Sequence, residues 1–202
     1  MSAWHLRQAC QALGAGGIVA HATEAVFGLG CDPFNPHAIA RLLALKNRAW
    51  HKGLILIAAD FRQLQPLLLP LSAADEHAIT AHWPGPVTWL LPARPDVPAW
   101  LTGRSAQLAV RVPGHAQARA LCQYWQGPLV STSANPQGRP PARTGLRVQQ
   151  YFGPERGRNP ERGRGPERGR GAEIVLLPGH CGPRRMPSTI REYPSGRIVR
   201  PG

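Results

Sequence analysis

The groups in this sequence best suited to chemistry are two cations one residue apart, Lys46 and Arg48, and a cluster far downstream, Ser131-Thr132-Ser133-Ala134-Asn135. Lys46-Asn47-Arg48 follows the apolar-periodic residues Ile39, Leu42, Leu43 and Leu45, so it stands at the end of a helix, with His51-Lys52-Gly53 just after. Such a pair can hold phosphate, the guanidinium forking two oxygens and the ammonium acting as a point charge. It can equally be a pair of helix-end cations favoured by the dipole. The second cluster follows the apolar Pro128-Leu129-Val130. Polar groups where a buried strand ends need partners, either their own backbone or a ligand. No acid or base adjoins these hydroxyls and there is no G-x-S-x-G elbow, which excludes a serine hydrolase. A third group, Thr23-Glu24, lies in the run His21 to Gly30. There a strand enters a glycine-containing loop, which either lets a substrate approach the backbone or simply turns the chain.

The elements that would position these groups alternate between strand and helix. Trp4 to Leu13 reads as an amphipathic helix ended by Gly14, and Gly17 to His21 as a buried strand; Thr23 to Gly30 reads as a turn-rich loop. Asn35-Pro36 is a helix start, Asn capping and Pro tolerated at the first helical position. Leu54 to Ala58 is apolar on both faces and reads as a central strand. Ser72 with Asp75 resembles a capping box for a helix to about His82. Strands are expected at Val87 to Leu91, Ala109 to Val112, Leu129 to Thr132 and Glu173 to Leu177, with a helix over Ala116 to Trp125. Ile190 to Tyr193 and Arg197 to Arg200 form a hairpin across Pro194-Ser195-Gly196. The expectation is a mixed α/β sheet with helices packed on it and chemistry in loops at strand ends.

The composition supports a folded chain with a core: 202 residues, 43% of them apolar. The net charge of +13 points to polyanions such as nucleic acid or nucleotide phosphates, unless the arginine excess reflects genome composition. Residues 154–171 are three near-identical hexads, PERGRN then PERGRG twice. They offer no apolar side chain to offset ordering entropy, so a mobile surface loop is expected, a tolerated expansion in preference to an RNA tether. The four cysteines form no C-x-x-C pair, so no zinc site is expected. Met1 to Arg7 lacks the apolar core of a secretory signal, and no apolar run approaches membrane-spanning length. A soluble cytoplasmic protein is the expectation.

Taken together, the order T-E, K-x-R and S-x-N resembles the YrdC/Sua5/TsaC family. Supporting stretches are Thr23 to Asp32, Leu45 to Arg48, Lys52 to Ile55, Trp83 to Trp89, Ala109 to Pro113 and Ser131 to Asn135. The length resembles the single-domain branch, with one YrdC-like domain over 1–202 interrupted by the repeat. The resemblance implies an open, twisted α/β sheet with a basic concave face. It implies a threonylcarbamoyl-AMP synthase, a nucleotidyltransferase that joins L-threonine, bicarbonate or CO2 and ATP and releases pyrophosphate, with Mg²⁺ accompanying ATP. Partner proteins would then transfer the threonylcarbamoyl group to tRNA, and contact with tRNA or double-stranded RNA is possible.

Carried over by residue, the resemblance makes Lys46 and Arg48 the catalytic cations and gives ATP to Lys46, Arg48, Ser133, Asn135 and Arg200. Threonine would meet Thr23, Arg111, Ser131 and Ser188, with Arg111 on its carboxylate. No protein metal ligands are implied. Three positions depart from the family pattern: Ala22 where Pro is usual, Ala49 where Pro is common, and Gln107 where longer relatives have a nucleotide-touching Thr. Two rival readings are a non-catalytic RNA-binding protein and a hydrogenase-maturation carbamoyltransferase. The first lacks a recognisable RNA module here, and the second requires paired C-x-x-C motifs that this sequence does not have.

Overall fold

The computed structural model describes residues 2–153 and 174–202, so the hexad repeat, expected to be a mobile loop, lies outside the described residues. In chain order the elements are α1 (Ala3–Gly14), β1 (Val19–Ala22), β2 (Phe27–Gly30), α2 (Pro36–Lys46), β3 (Ile55–Ile57), α3 (Ala73–Thr80), β4 (Val87–Pro92) and α4 (Ala99–Thr102). They continue with β5 (Gln107–Arg111), α5 (Ala116–Trp125), β6 (Leu129–Val130), β7 (Thr132–Ser133), α6 (Gly145–Phe152), β8 (Val175–Leu176), β9 (Thr189–Glu192) and β10 (Ile198–Arg200).

The result is a mixed α/β fold with open sheets, as the alternating pattern implies. Instead of one sheet the described residues form two, in strand orders β7-β2-β1-β8 and β10-β9-β4-β5-β3-β6. One stretch of chain belongs to both. Leu129 and Val130 pair with Ile57 and Leu56 of β3, while Thr132 and Ser133 pair with Leu29 and Gly28 of β2. Ser131 sits at the changeover, its N–H donating to Ile55 O at 2.9 Å. A single strand over this stretch is what its apolar run suggests. It switches sheets at Ser131, leaving β3 for the edge of β2.

β2 itself is unexpected, since the two glycines in Phe27-Gly28-Leu29-Gly30 read as a turn. Both lie in a strand paired antiparallel with β1, Gly28 opposite His21. The reason is local space: a Cβ at Gly28 would stand 2.8 Å from Ser131 Oγ and one at Gly30 would stand 2.9 Å from Val130 O. The neighbouring strand thus approaches too closely for any side chain. Helix α6, capped by Thr144 at Arg147 N (3.2 Å), also goes unmarked in the sequence pattern.

Other signals are realised. β3 lies between β5 and β6, which its two-faced apolarity requires. Leu42, Leu56, Phe27 and Leu29 are fully buried in the main core, each contributing roughly 1.5–3 kcal/mol of transfer free energy. A second core joins α1 and α5 through Ala9, Leu13, Leu121 and Cys122, against Val19, Ile57, Leu129 and Leu177. Ser72 caps α3, accepting from Asp75 N at 3.1 Å. Asn35 Oδ1 accepts from Ala38 N at 3.1 Å and Pro36 occupies the first helical position of α2. Asn35→Ala removes that cap and is expected to cost about 1 kcal/mol in urea denaturation.

Candidate active site

Helix α2 ends in a way that sends its two cations in different directions. Lys46 continues the buried stripe of Ala38, Ile39 and Leu42. Asn47 then takes a left-handed conformation, φ 45°, with its N–H on Ala44 O, while Arg48 N donates to Leu43 O. Asparagine tolerates that region, and the reversal points Arg48 away from the helix face that Lys46 follows.

Lys46 is buried, and its ammonium reaches the S-x-N loop. It donates to Ser133 O and to Asn135 O (2.8 Å) and Oδ1 (2.9 Å), with Ser133 Oγ at 3.3 Å. Ser133 Oγ also donates to Asn135 Oδ1 at 2.7 Å. Asn135 Nδ2 donates to Arg139 O at 2.7 Å and Pro136 O at 3.2 Å. The three ammonium donors are therefore engaged by the loop. Burial, with the Arg48 charge second, lowers the Lys46 pKa to about 8.

Beside this knot lies a cavity of about 540 Å³ lined by Thr23, Glu24, Arg48, Arg111, Ser131, Ser133, Ser188 and Arg200 among others. Seven of the nine expected site residues thus meet around one space. Lys46 and Asn135 do not line it; they stand behind Ser133 and hold it in place. Gln107 lies elsewhere, its amide donating to Tyr193 O at 3.1 Å. At Ala22 the N–H donates to Gln117 Oε1 at 3.1 Å, a bond that proline could not make.

The cavity is strongly cationic. Arg143, Arg184 and Arg185 line it too, making six arginines among the described residues, with Glu24 as the acid. The motifs missed these three. The signal available was the Arg-Arg pair just ahead of Ser188. Arg143 donates to Arg184 O at 2.9 Å, which holds the 184–188 wall against the 140–143 segment. Arg111, on the end of β5, is buried and sits 3.6 Å from Glu24 Oε1, which also accepts from Gly114 N at 2.7 Å. Arg200 donates to Ser188 O at 2.8 Å and Arg48 to Gly53 O at 2.9 Å.

Burial lowers the pKa of Arg48, Arg111 and Arg200. Glu24 opposes this at Arg111, whereas Arg184 adds to it there and Arg111 and Arg48 add to it at Arg200. The Nε atoms of Arg48, Arg111 and Arg200 are buried without a hydrogen-bond partner among the described residues. Like charges this close, with donors unspent, match an anionic ligand carrying several charges.

The Sua5/YciO/YrdC family model, described as "Telomere recombination", matches residues 11–157. The chain belongs to the Sua5/YciO/YrdC family. It is 49% identical to the threonylcarbamoyl-AMP synthase of Nitrosococcus oceani over 98% of this chain and 97% of that protein. Identity with the same-named protein of Pseudomonas fluorescens is 47%, over 100% and 99% of the two chains. Among solved structures, Sua5 of P. abyssi complexed with L-threonine superposes with a TM-score of 0.83 at 28% identity. All of this chain matches 55% of that Sua5. In this chain Lys46, Ser133 and Asn135 form one packed unit, and Arg48 stands apart from it on the cavity wall.

Two outcomes follow. Replacing Lys46 by Met leaves four half-buried acceptors without their cation. Urea denaturation is expected to show a loss of about 2–3 kcal/mol, whereas a helix-end cation would cost below about 1 kcal/mol. His21 is fully buried, and desolvation is the main reason its pKa falls to about 4. Between about pH 6.5 and 4 the unfolded chain binds a proton there that the folded chain refuses. Stability from this group is therefore complete above pH 6.5 and falls as pH drops toward 4, by roughly 3 kcal/mol in all. Urea midpoints across that range should show this component in the parent and not in His21→Phe.

Proposed function

We propose that this chain is a threonylcarbamoyl-AMP synthase, a nucleotidyltransferase that forms L-threonylcarbamoyl-AMP and pyrophosphate from L-threonine, bicarbonate or CO2, and ATP. Full-length identity with proteins of that name supports the reading. The observation that carries it is the cavity where Arg48, Arg111 and Arg200 hold unpartnered Nε donors beside the hydroxyls of Ser131 and Ser133.

The chemistry needs such a site. The threonine amine captures CO2 as a carbamate, and a carbamate oxygen attacks the α-phosphorus of ATP as pyrophosphate leaves. Both reactants are anions, so their approach is opposed unless fixed cations offset the repulsion. Guanidiniums held in place before the reaction stabilise the spreading phosphoryl charge without reorganising. Arg48 and Arg200 would take the triphosphate with Ser133, while Lys46 and Asn135 set the position of Ser133. Arg111, oriented by Glu24, would take the threonine carboxylate, with Thr23, Ser131 and Ser188 around the amino acid. L-Threonine bound to the related P. abyssi Sua5 supports the amino-acid assignment. No residue is asked to act as a covalent nucleophile.

Mg²⁺ would arrive on the triphosphate. Phosphate and water would supply its ligands, and Glu24 is the one carboxylate among the described residues that line the cavity. The product would pass to partner proteins that modify tRNA, and the reaction would then be cytoplasmic. No helix among the described residues is long and apolar enough to cross a membrane.

The purified protein with ATP, bicarbonate and L-threonine is expected to release pyrophosphate; equal release without threonine would contradict the reading. Arg48→Ala should weaken binding of a non-hydrolysable ATP analogue about ten- to hundredfold, roughly 1.5–3 kcal/mol, and leave threonine affinity near the parent. Arg111→Ala should do the reverse. Isothermal titration of each variant separates the two.

A further inference from the structure

The two glycines of β2 leave room for one side chain, the imidazole of His21. A Cβ at Gly28 would lie 3.0 Å from His21 Nε2 as well as 2.8 Å from Ser131 Oγ, and one at Gly30 would lie 3.5 Å from the ring's Nε2 and Cδ2. His21 is on β1, fully buried, and β2 stands between β1 and β7. The ring therefore crosses β2 over its glycines to reach Ser131 at the changeover between sheets. Its Nε2 is 3.4 Å from Ser131 Oγ and its Nδ1 is 3.3 Å from Ala22 O.

These two contacts fix the polarity of the pair. A carbonyl only accepts, so the Ala22 contact puts the ring proton on Nδ1 and leaves the Nε2 lone pair facing Ser131. The Ser131 hydroxyl then donates to His21 and turns its own lone pairs to the cavity. Thr23 is set the same way, its Oγ1 donating to Val26 O at 2.7 Å. Burial keeps the ring neutral at physiological pH, its pKa lowered to about 4, so the lone pair stays available.

In a cavity walled by guanidiniums, acceptors are scarce. A ligand bringing an amino group has N–H bonds to place, and each left unmet in a buried site carries a desolvation cost. We propose that His21 is a positioning residue: by accepting the Ser131 hydroxyl proton it makes Ser131 an acceptor for the amino group of the amino-acid substrate, and Gly28 and Gly30 leave it the path to do so. The substrate class rests on the threonine reading above; the hydrogen-bond polarity does not. Threonine's amino group, as ammonium before CO2 capture or as amine at capture, would thereby be held with its N–H bonds aimed at Ser131.

The test is a double-mutant cycle on the full chain, reading the KM for threonine and the Kd of a non-hydrolysable ATP analogue. Ser131→Ala and His21→Phe are each expected to raise the threonine KM about tenfold, as loss of one hydrogen bond to a charged group does. The double variant should be no worse than Ser131→Ala, and analogue affinity should stay within about twofold of the parent. His21→Gln, which keeps an acceptor, should recover part of the loss. Additive effects in the double variant, or equal losses for threonine and the ATP analogue, would overturn the proposal. If His21→Phe does not fold, ¹⁵N-histidine NMR of the parent at pH 7 decides it: a proton on Nδ1 and none on Nε2 supports the proposal, and an Nε2 proton refutes it. That spectrum also separates this proposal from the function, because a parent that never uses threonine would still report which nitrogen of His21 carries the proton.

Discussion

The ammonium of Lys46 ties the end of α2 to the loop that follows β7, and the site depends on that tie. Three donors meet the carbonyls and side chains of Ser133 and Asn135. Without a cation there, those half-buried oxygens would lose their shared donor and keep only the Ser133 hydroxyl on Asn135 Oδ1 and the Asn135 N–H on Ser133 O. The loop continues the segment shared by the two sheets, so the tie also fixes Ser131 and Ser133 relative to β2 and β3. The left-handed Asn47 makes the arrangement possible: Lys46 stays with the core while Arg48, two residues on, lines the cavity.

Once the loop is fixed, the cavity is a problem in charge. Among the described residues, six arginines face a space with one carboxylate, and that carboxylate is already shared by Arg111 and Gly114 N. Such a wall is unfavourable in the folded protein: burial is the main reason the guanidinium pKa values fall, and neighbouring arginines add to it at Arg111 and Arg200. The same cost makes it effective. A triphosphate and a carboxylate brought together relieve the repulsion they meet, and the cations need not move as charge shifts along the phosphate chain. Family membership and electrostatics therefore lead to one reading by separate routes.

Much of this was legible in the residues. Asn35-Pro36, Ser72 with Asp75, and the hairpin at Pro194-Ser195-Gly196 use local chemistry that does not depend on the rest of the chain, and each appears where its signal stands. The motifs brought Thr23, Arg48, Arg111, Ser131, Ser133, Ser188 and Arg200 to one cavity. What was hidden depends on tertiary contact. The glycines of β2 read as a turn because only the approach of His21, Val130 and Ser131 shows why they occupy a strand. Lys46 reads as a phosphate cation because spacing alone does not show direction. Yet its place on the stripe of Ile39 and Leu42 was a signal that it points inward. Arg143, Arg184 and Arg185 belong to no motif, and their charge acquires meaning only when the chain folds them onto the same wall.

The central claim is that arginines meet the anionic reactants while Lys46 stays with the protein. A crystal structure with a non-hydrolysable ATP analogue and L-threonine bound together tests it most directly. The account predicts the triphosphate against Arg48, Arg200 and Ser133, the threonine carboxylate on Arg111, and the Lys46 ammonium still bonded to Ser133 and Asn135. A Lys46 ammonium detached from that loop and bound to phosphate oxygens, with Arg48 facing solvent, would contradict it.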